Sequence, residues 1–411
     1  MGVEKGDCSV NYVIIPTMKV LYLQTFPLFG SGSGTYAREL AEEVAKKHEV
    51  AMVAPDSRPL IGVKMYQVDL PVKIAFTGHP EWPNCKMYTK VGGEDLSANY
   101  LAYFQKTLEA VNDFKPNIIH VHHLMPLPWI ARFVKIAYGL NFMVTVHGSE
   151  LPTLERDKRY PSLTSEALHK AVRIIPNSFW TRDWMNRVLK DGFKDQIRVI
   201  PGGVDIEEFK KVKTSDIDEK FGLKGKKVVV FAGKLTPYKG VKYLVYAAKK
   251  IKGEVIILGD GSERKNLEEI IVKEQIKNVR FLGHLGNDTN FLVKFYSRAD
   301  VFVAPSVWDE PLGLVILEAM ACETPVVVTR KGGIPLAVKD GKNGLFIKAR
   351  NANDIAEKVN YLLENDEKRF KMGQKAREIA VEKFSWKIIA QRFIEKYERF
   401  ATYPKNASPL P

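Results

Sequence analysis

Short, solidly apolar runs separated by helical patterns, laid out twice along the chain, constrain this 411-residue sequence more than any other feature. The first set is "KVLYL" (19–23), "VAMVA" (50–54), "NIIHVH" (117–122), "FMVTVH" (142–147), "RIIPN" (173–177) and "IRVIP" (197–201). Helical patterns over 34–47, 97–114, 128–138 and 179–190 lie between several of them. The second set is "VVVFAG" (228–233), "EVIILG" (254–259), "VRFLG" (279–283), "DVFVAPS" (300–306) and "PVVVT" (325–329), each followed by a helical pattern. Strands without a polar face belong in a parallel sheet covered on both sides, and the intervening helices supply the cover. A chain of this length exceeds what one core usually covers, so the repeat predicts two doubly wound α/β units. The predicted boundaries are an N-terminal unit over 18–204, a charge-dense linker over 205–227 and a second unit over 228–385. A last helix spans 386–401, and disordered extensions are expected at 1–17 and 402–411. Ligands bind at the carboxyl ends of such strands, so the expected site is a cleft between the two units.

Composition narrows the function classes. Apolar residues at 45% and charged residues at 27% describe an ordinary globular protein. No uninterrupted apolar run is long enough to span a bilayer. "MGVEKGDCSVNYVIIPT" is acidic early and its apolar run is short, unlike a secretory signal, and Gly6 breaks the myristoylation pattern. Cys8, Cys85 and Cys322 are far apart and form no CxxC pair, which points to a reducing, cytoplasmic setting. A net charge of +14 suits nucleic acid, an anionic membrane face or an anionic small substrate. Nucleic-acid binding needs basic and aromatic residues clustered on one face, whereas the lysines here are scattered among glutamates. The stretch 179–194, with Phe179, Trp180 and Trp184 beside Arg182, Arg187 and Lys190, is the candidate for peripheral contact at the inner membrane face; packing inside the N-terminal unit is the alternative for those aromatics.

Five loops carry chemistry. "FGSGSGTYAREL" (29–40) places Gly30, Gly32 and Gly34 between a strand and a helix, where amides can approach a phosphate. It reads GxGxG, not GxGxxG, but Asp56 follows the second strand at a distance suited to a ribose, so a nicotinamide reading stays open beside simple tight packing. "HVHH" (120–123) puts His120 and His122 on one strand face, but no partner ligands are indicated by spacing. "TVHGSEL" (145–151) places His147 and Gly148 just past a strand end, as cleft residues or as a capped core histidine. Lys234 and Lys239 in "FAGKLTPYKG" (231–240) suit a diphosphate, or plain solvent exposure. In "WDEPLGLVILEAM" (308–320) a helix should begin near Gly313, leaving the amides of Gly313 and Leu314 as unpaired donors at the positive end of the dipole. Glu310 lies just ahead of that start. Glu318 lies more than one turn inside, in apolar surroundings where a lone carboxylate is costly unless bonded; the vicinal hydroxyls of a ribose would bond it. Taken alone, the segment also fits a helix with an ordinary surface glutamate.

"EPLGLVILEAMACETPVVVTRKGGIPLAVKDGKNGLFI" resembles the E-x7-E region of family 4 retaining glycosyltransferases, and "GKLTPYKG", "ILGDGSERKNLEE", "YSRADVFVAPS" and "IRVIPGGVDIEEF" resemble further motifs of that family. "HEVAMVAP", "NIIHVHH" and "VTVHGSE" do so in the first half, and the resemblance runs from about Met18 to about residue 400. It implies a GT-B fold of two Rossmann-like domains, with the C-terminal helix returning to the N-terminal domain. It implies sugar transfer from a UDP- or GDP-sugar donor, without a permanently bound cofactor or metal, to a hydroxyl of a lipid, saccharide or small-molecule acceptor. Glu310 matches the glutamate that contacts donor-sugar hydroxyls, Glu318 the ribose glutamate, Lys239 the diphosphate lysine and His147 the histidine near the transferred sugar. Lys234 stands where arginine is usual, and the glycines at 30–34 match a mobile loop. Glu323 replaces a usual glycine. A GT-B epimerase and a basic nucleic-acid-binding protein are the alternatives.

Overall fold

The computed structural model describes residues 17–190, 192–283 and 288–402. Its first unit contains β1 (Lys19–Leu23), β2 (Glu49–Ala54), β3 (Val63–Gln67), a two-strand annex of β4 (Ile74–Ala75) and β5 (Lys86–Met87), then β6 (Ile118–His122), β7 (Phe142–Val146) and β8 (Arg173–Pro176). The second contains β9 (Val228–Ala232), β10 (Glu254–Leu258), β11 (Val279–Gly283), β12 (Val301–Ala304), β13 (Val326–Thr329) and β14 (Gly344–Ile347). The main sheets are ordered β3-β2-β1-β6-β7-β8 and β11-β10-β9-β12-β13-β14, so the two units repeat one topology. Every pairing within both sheets is parallel. The order reverses between β1 and β6 and between β9 and β12, and such switch points open the crevices in which ligands bind.

The central strands are buried on both faces, which is why they read as unbroken apolar runs. Two strands escaped that pattern. β3 is an edge strand with only Tyr66 buried, and β14 is half-buried at the opposite edge of the other sheet. The expected strand at 197–201 is reduced to a single bridge between Ile197 and Ile174. The stretch 205–227, read as a linker, carries the helix Ser215–Phe221, and its Phe209, Ile217 and Leu223 are buried in the core of the second unit. Its charges face outward while its sparse apolar residues anchor it. The helix Trp386–Phe400 packs Trp386, Ile389, Phe393 and Tyr397 beside Val20, Tyr22 and Tyr36 of the first unit. Residues 1–16 and 403–411, expected as disordered, lie outside the described residues; Thr402 is described, and its amide donates to the carbonyl of Asn117 at 2.7 Å.

Candidate active site

A cleft of ≈ 680 Å³ opens between the units, lined by Gly30 and Arg38 from one side and Lys234, Gly261, Thr289 and Glu318 among others from the opposite side. Its C-terminal wall depends on close backbone packing. A Cβ on Gly259 would lie 2.0 Å from the carbonyl oxygen of Gly233, and one on Gly261 2.4 Å from that of Leu235, so the loops after β9 and β10 interlock without side chains. Gly313 adopts φ 80° and caps the helix Leu314–Ala321, whose Val315 and Glu318 line the cleft. The helix therefore starts where the sequence placed it, with its positive end beside the cleft.

Glu318 sits deep in this wall. The hydroxyl of Tyr296 donates to its Oε2 at 3.0 Å, and among the described residues no cation pairs with it. Burial pushes its carboxyl up to about 7; the Tyr296 hydroxyl works against that shift, and the charges of Glu208 and Glu39 add to it. Glu310 is held differently. Its Oε1 accepts from Lys239 Nζ at 2.5 Å and from Ser306 Oγ at 2.8 Å. Lys239 belongs to a short turn, Pro237–Lys239, followed by Gly240, where a Cβ would lie 2.2 Å from the carbonyl oxygen of Pro305. Lys234 is exposed on the cleft wall.

On the N-terminal side, Gly30 takes φ 77° and lines the cleft. Gly32 is the first residue of the helix Gly32–Ala45, and a Cβ on it would face Leu314 Cδ1 at 3.9 Å, so Gly32 and Leu314 meet across the cleft. Gly34 is buried for another reason: a Cβ there would lie 2.6 Å from the carbonyl oxygen of Pro27, so the absent side chain serves the turn and not a ligand. Asp56, the candidate ribose contact of a dinucleotide site, is committed elsewhere. It accepts from the amides of Leu28 and Arg58 and from the Arg58 guanidinium, tying the glycine loop to the end of β2.

Three histidines, His120, His122 and His147, form a buried set that burial keeps neutral. His120 uses both ring nitrogens, on Tyr397 and Thr145, each at 2.7 Å. His122 Nδ1 meets His147 Nε2 at 3.0 Å, and burial, reinforced by neighbouring imidazoles, drives both pKa values well below the ordinary histidine value. The amide of His147 donates to the buried Glu150, and Tyr36 packs edge-on against its ring at 5.0 Å. In the helix Phe179–Leu189, Trp184 is buried and Trp180 half-buried; Phe179 is exposed.

Sequence reasoning missed Tyr296, Ser306 and Arg38. Tyr296 and Ser306 stood inside the quoted motif "YSRADVFVAPS", but a hydroxyl aimed at a distant carboxylate leaves no local pattern. Arg38 lies one turn beyond the glycine loop, on the helix face turned to the cleft.

Two facing α/β units of one topology, with a cleft at their switch points, form a GT-B architecture. Sequence comparison places the chain more closely. Residues 213–379 match the family model for glycosyl transferases group 1, and residues 30–208 match that for glycosyltransferase family 4. The D-inositol 3-phosphate glycosyltransferase of Corynebacterium urealyticum is 35% identical over 423 residues, covering 94% of this chain and 96% of the relative. An uncharacterised glycosyltransferase of Methanocaldococcus jannaschii is 30% identical over 285 residues, covering 69% of this chain and 76% of the relative. The chain belongs to the group 1, family 4 glycosyltransferases. Among solved structures, sucrose-phosphate synthase from Thermosynechococcus elongatus shares the fold with a TM-score of 0.76 at 22% identity, covering 93% of this chain and 98% of that one. Anabaena HepE, solved with UDP and glucose, does so with a TM-score of 0.74 at 19% identity, covering 93% of this chain and 100% of that one.

Proposed function

We propose that this glycosyltransferase moves a hexosyl group from a UDP- or GDP-sugar to a hydroxyl of a lipid, saccharide or small-molecule acceptor, with retention at the anomeric carbon and without a resident metal. The observation that carries this reading is Glu318: a carboxylate deep in the cleft, one turn inside a helix, bonded to Tyr296 and to none of the described cations. Leaving it there is costly without a further donor pair, and vicinal ribose hydroxyls supply one. The helix start and Lys234 then face the diphosphate, a charge that both accommodate. Lys239 and Ser306 occupy Oε1 of Glu310, which orients the carboxylate and leaves Oε2 to accept from a sugar hydroxyl. UDP in the Anabaena relative's structure supports a nucleotide donor.

In the transfer step, the bond from the anomeric carbon to the β-phosphate oxygen breaks and the bond to the acceptor oxygen forms on the same face. The departing phosphate oxygen takes the acceptor proton. Lys239 and Lys234 stabilise the charge developing on the diphosphate, and neutral His147 holds the sugar without drawing off that charge. The test is a hydrolysis and thermal-stabilisation screen over UDP-, GDP- and ADP-sugars with excess EDTA. One donor class should stabilise the protein and turn over, and Glu318→Ala should abolish the stabilisation. Donor affinity untouched in a folded Glu318→Ala protein would sink the ribose assignment, and activity restored by divalent ions alone would overturn the metal-free step.

A further inference from the structure

We propose that Trp184 and Gly148 of the N-terminal domain are positioning residues that set Glu310 and His147 for the donor sugar, through contacts made across the domain seam; the inference rests on the donor-sugar reading of Glu310. His147 and Glu310 come from different domains, and their chain neighbours touch. A Cβ built on Gly148 would lie 3.1 Å from Pro311 Cγ and 3.7 Å from Thr181 Oγ1. Gly148 takes φ 100°, so this position needs glycine twice, for its backbone and for the room Pro311 occupies. On the N-terminal side the same point is tied to His147: Thr181 Oγ1 bonds Asn177 Oδ1 at 2.8 Å, and Asn177 Nδ2 donates to the His147 carbonyl at 3.1 Å.

The loop 308–313 is gripped from two directions. From its own domain, the amide of Gly333 donates to the Glu310 carbonyl at 2.7 Å and that of Gly332 to Asp309 Oδ1 at 3.0 Å. From the other domain, Trp184 meets Trp308 edge to face with centroids 5.9 Å apart. Trp308 in turn meets Tyr238 at 5.5 Å, and the amides of Val307 and Trp308 donate to the Tyr238 carbonyl. Tyr238 precedes Lys239, whose Nζ holds Glu310. The aromatic row Trp184–Trp308–Tyr238 therefore ends on the ion pair that orients Glu310. Trp184 is 6% exposed and Trp308 40% exposed, so one aromatic is seated in the N-terminal domain and reaches a more open one opposite. The nucleotide side of the cleft, around Gly261, Thr289 and Glu318, has no part in this row. Loss of the row should therefore impair transfer more than nucleotide binding, which keeps Glu318 and the helix start and can lose at most what Lys239 contributes.

The experiment compares Trp308→Ala, Trp184→Ala, Trp184→Phe and Gly148→Ala for UDP affinity by calorimetry and for turnover of UDP-glucose. A misplacement of about 1 Å costs roughly 100-fold, so kcat should fall roughly 10- to 100-fold in the three disruptive variants while the Kd for UDP rises by no more than about fivefold, the share one displaced lysine contributes. Trp184→Phe, which keeps an aromatic face towards Trp308, should recover most of kcat. Unchanged kcat in both Trp308→Ala and Trp184→Ala would overturn the inference, as would a loss of UDP affinity as large as the loss of kcat together with a lowered Tm, since that marks a general structural loss. Glu310→Gln separates the two layers. If it leaves kcat intact, the donor-sugar reading itself fails; if it collapses kcat while the tryptophan variants do not, only the positioning role is lost.

Discussion

The two halves of the cleft are built on one strand order, yet they use polar residues in opposite ways. On the N-terminal side Asp56 and His120 are already committed to protein partners. Asp56 accepts four hydrogen bonds from Leu28 and Arg58, and His120, held neutral by burial, spends both ring nitrogens on Tyr397 and Thr145. On the C-terminal side Lys239 and Glu310 pair with each other, but Glu318 has a tyrosine for company and Lys234 stands exposed on the wall. One topology thus carries one wall with internally bonded polar groups and another with Glu318 and Lys234 less engaged. Removing a committed group should cost stability, whereas removing a poised one should cost binding.

Asp56 offers the largest expected effect and the sharpest way to break this comparison. Burial pulls its pKa up, but the Arg58 side chain, the Arg58 amide and the Leu28 amide outweigh that and hold it below the usual aspartate range. Its stabilising contribution is present above that range and is lost as pH falls through the lowered value. Removing one partner of a buried pair costs about 3–5 kcal/mol, and Arg58 is 38% exposed, so Asp56→Ala should destabilise by about 3 kcal/mol. Thermal melts at neutral pH would show this as a lower Tm, with donor affinity of the folded fraction unchanged. A donor affinity lost without any change in Tm would make Asp56 a ligand contact and erase the distinction.

Glu318 should give the opposite signature. Ribose hydroxyls donate to an ionised carboxylate, so donor affinity should climb as pH rises through about 7 and flatten above it. Glu318→Gln should lose about 1.5–3 kcal/mol of donor binding and this pH dependence. Stability moves the other way. The folded pKa is raised from 4.5, so the group's favourable contribution is full below about 4.5 and is lost as pH rises through about 7. Without donor, Glu318→Gln should therefore be the more heat-stable protein above pH 7, by about 2–3 kcal/mol. A variant that both binds and melts like the wild type would return Glu318 to the class of ordinary half-buried glutamates.

The same contrast explains what was legible in the sequence. The parallel sheets were, because buried strands are apolar on both faces and helices alternate with them; β3 and β14 were not, because β3 buries only Tyr66 and β14 is four residues long and opens on a glycine. Glu310, Gly313 and Glu318 could be read together as a candidate because they lie in one segment around one helix start. The N-terminal half assembles from segments far apart. Gly34 is required by its own turn, and Asp56, which left a dinucleotide reading open, is claimed by Arg58. Local spacing carries no record of a partner supplied by a distant loop, and for the same reason Tyr296 beside Glu318 was invisible.

The smallest expected effect belongs to Lys234, and it probes how far the C-terminal half acts by general electrostatics. Lys234 is exposed, so water screens its attraction to a diphosphate. Exposed charge pairs contribute roughly 0–1 kcal/mol, and Lys234→Ala should weaken UDP binding by no more than about fivefold. The loss should shrink as salt is raised, because screening removes from the wild type what the mutation removes outright. Lys234→Arg should bind UDP at least as tightly as the wild type, since guanidinium adds a planar pair of donors for phosphate oxygens. Calorimetric titrations of the three proteins at low and high salt decide the matter. A salt-insensitive loss well beyond tenfold would show Lys234 to be desolvated on binding, a specific clasp and not a diffuse charge.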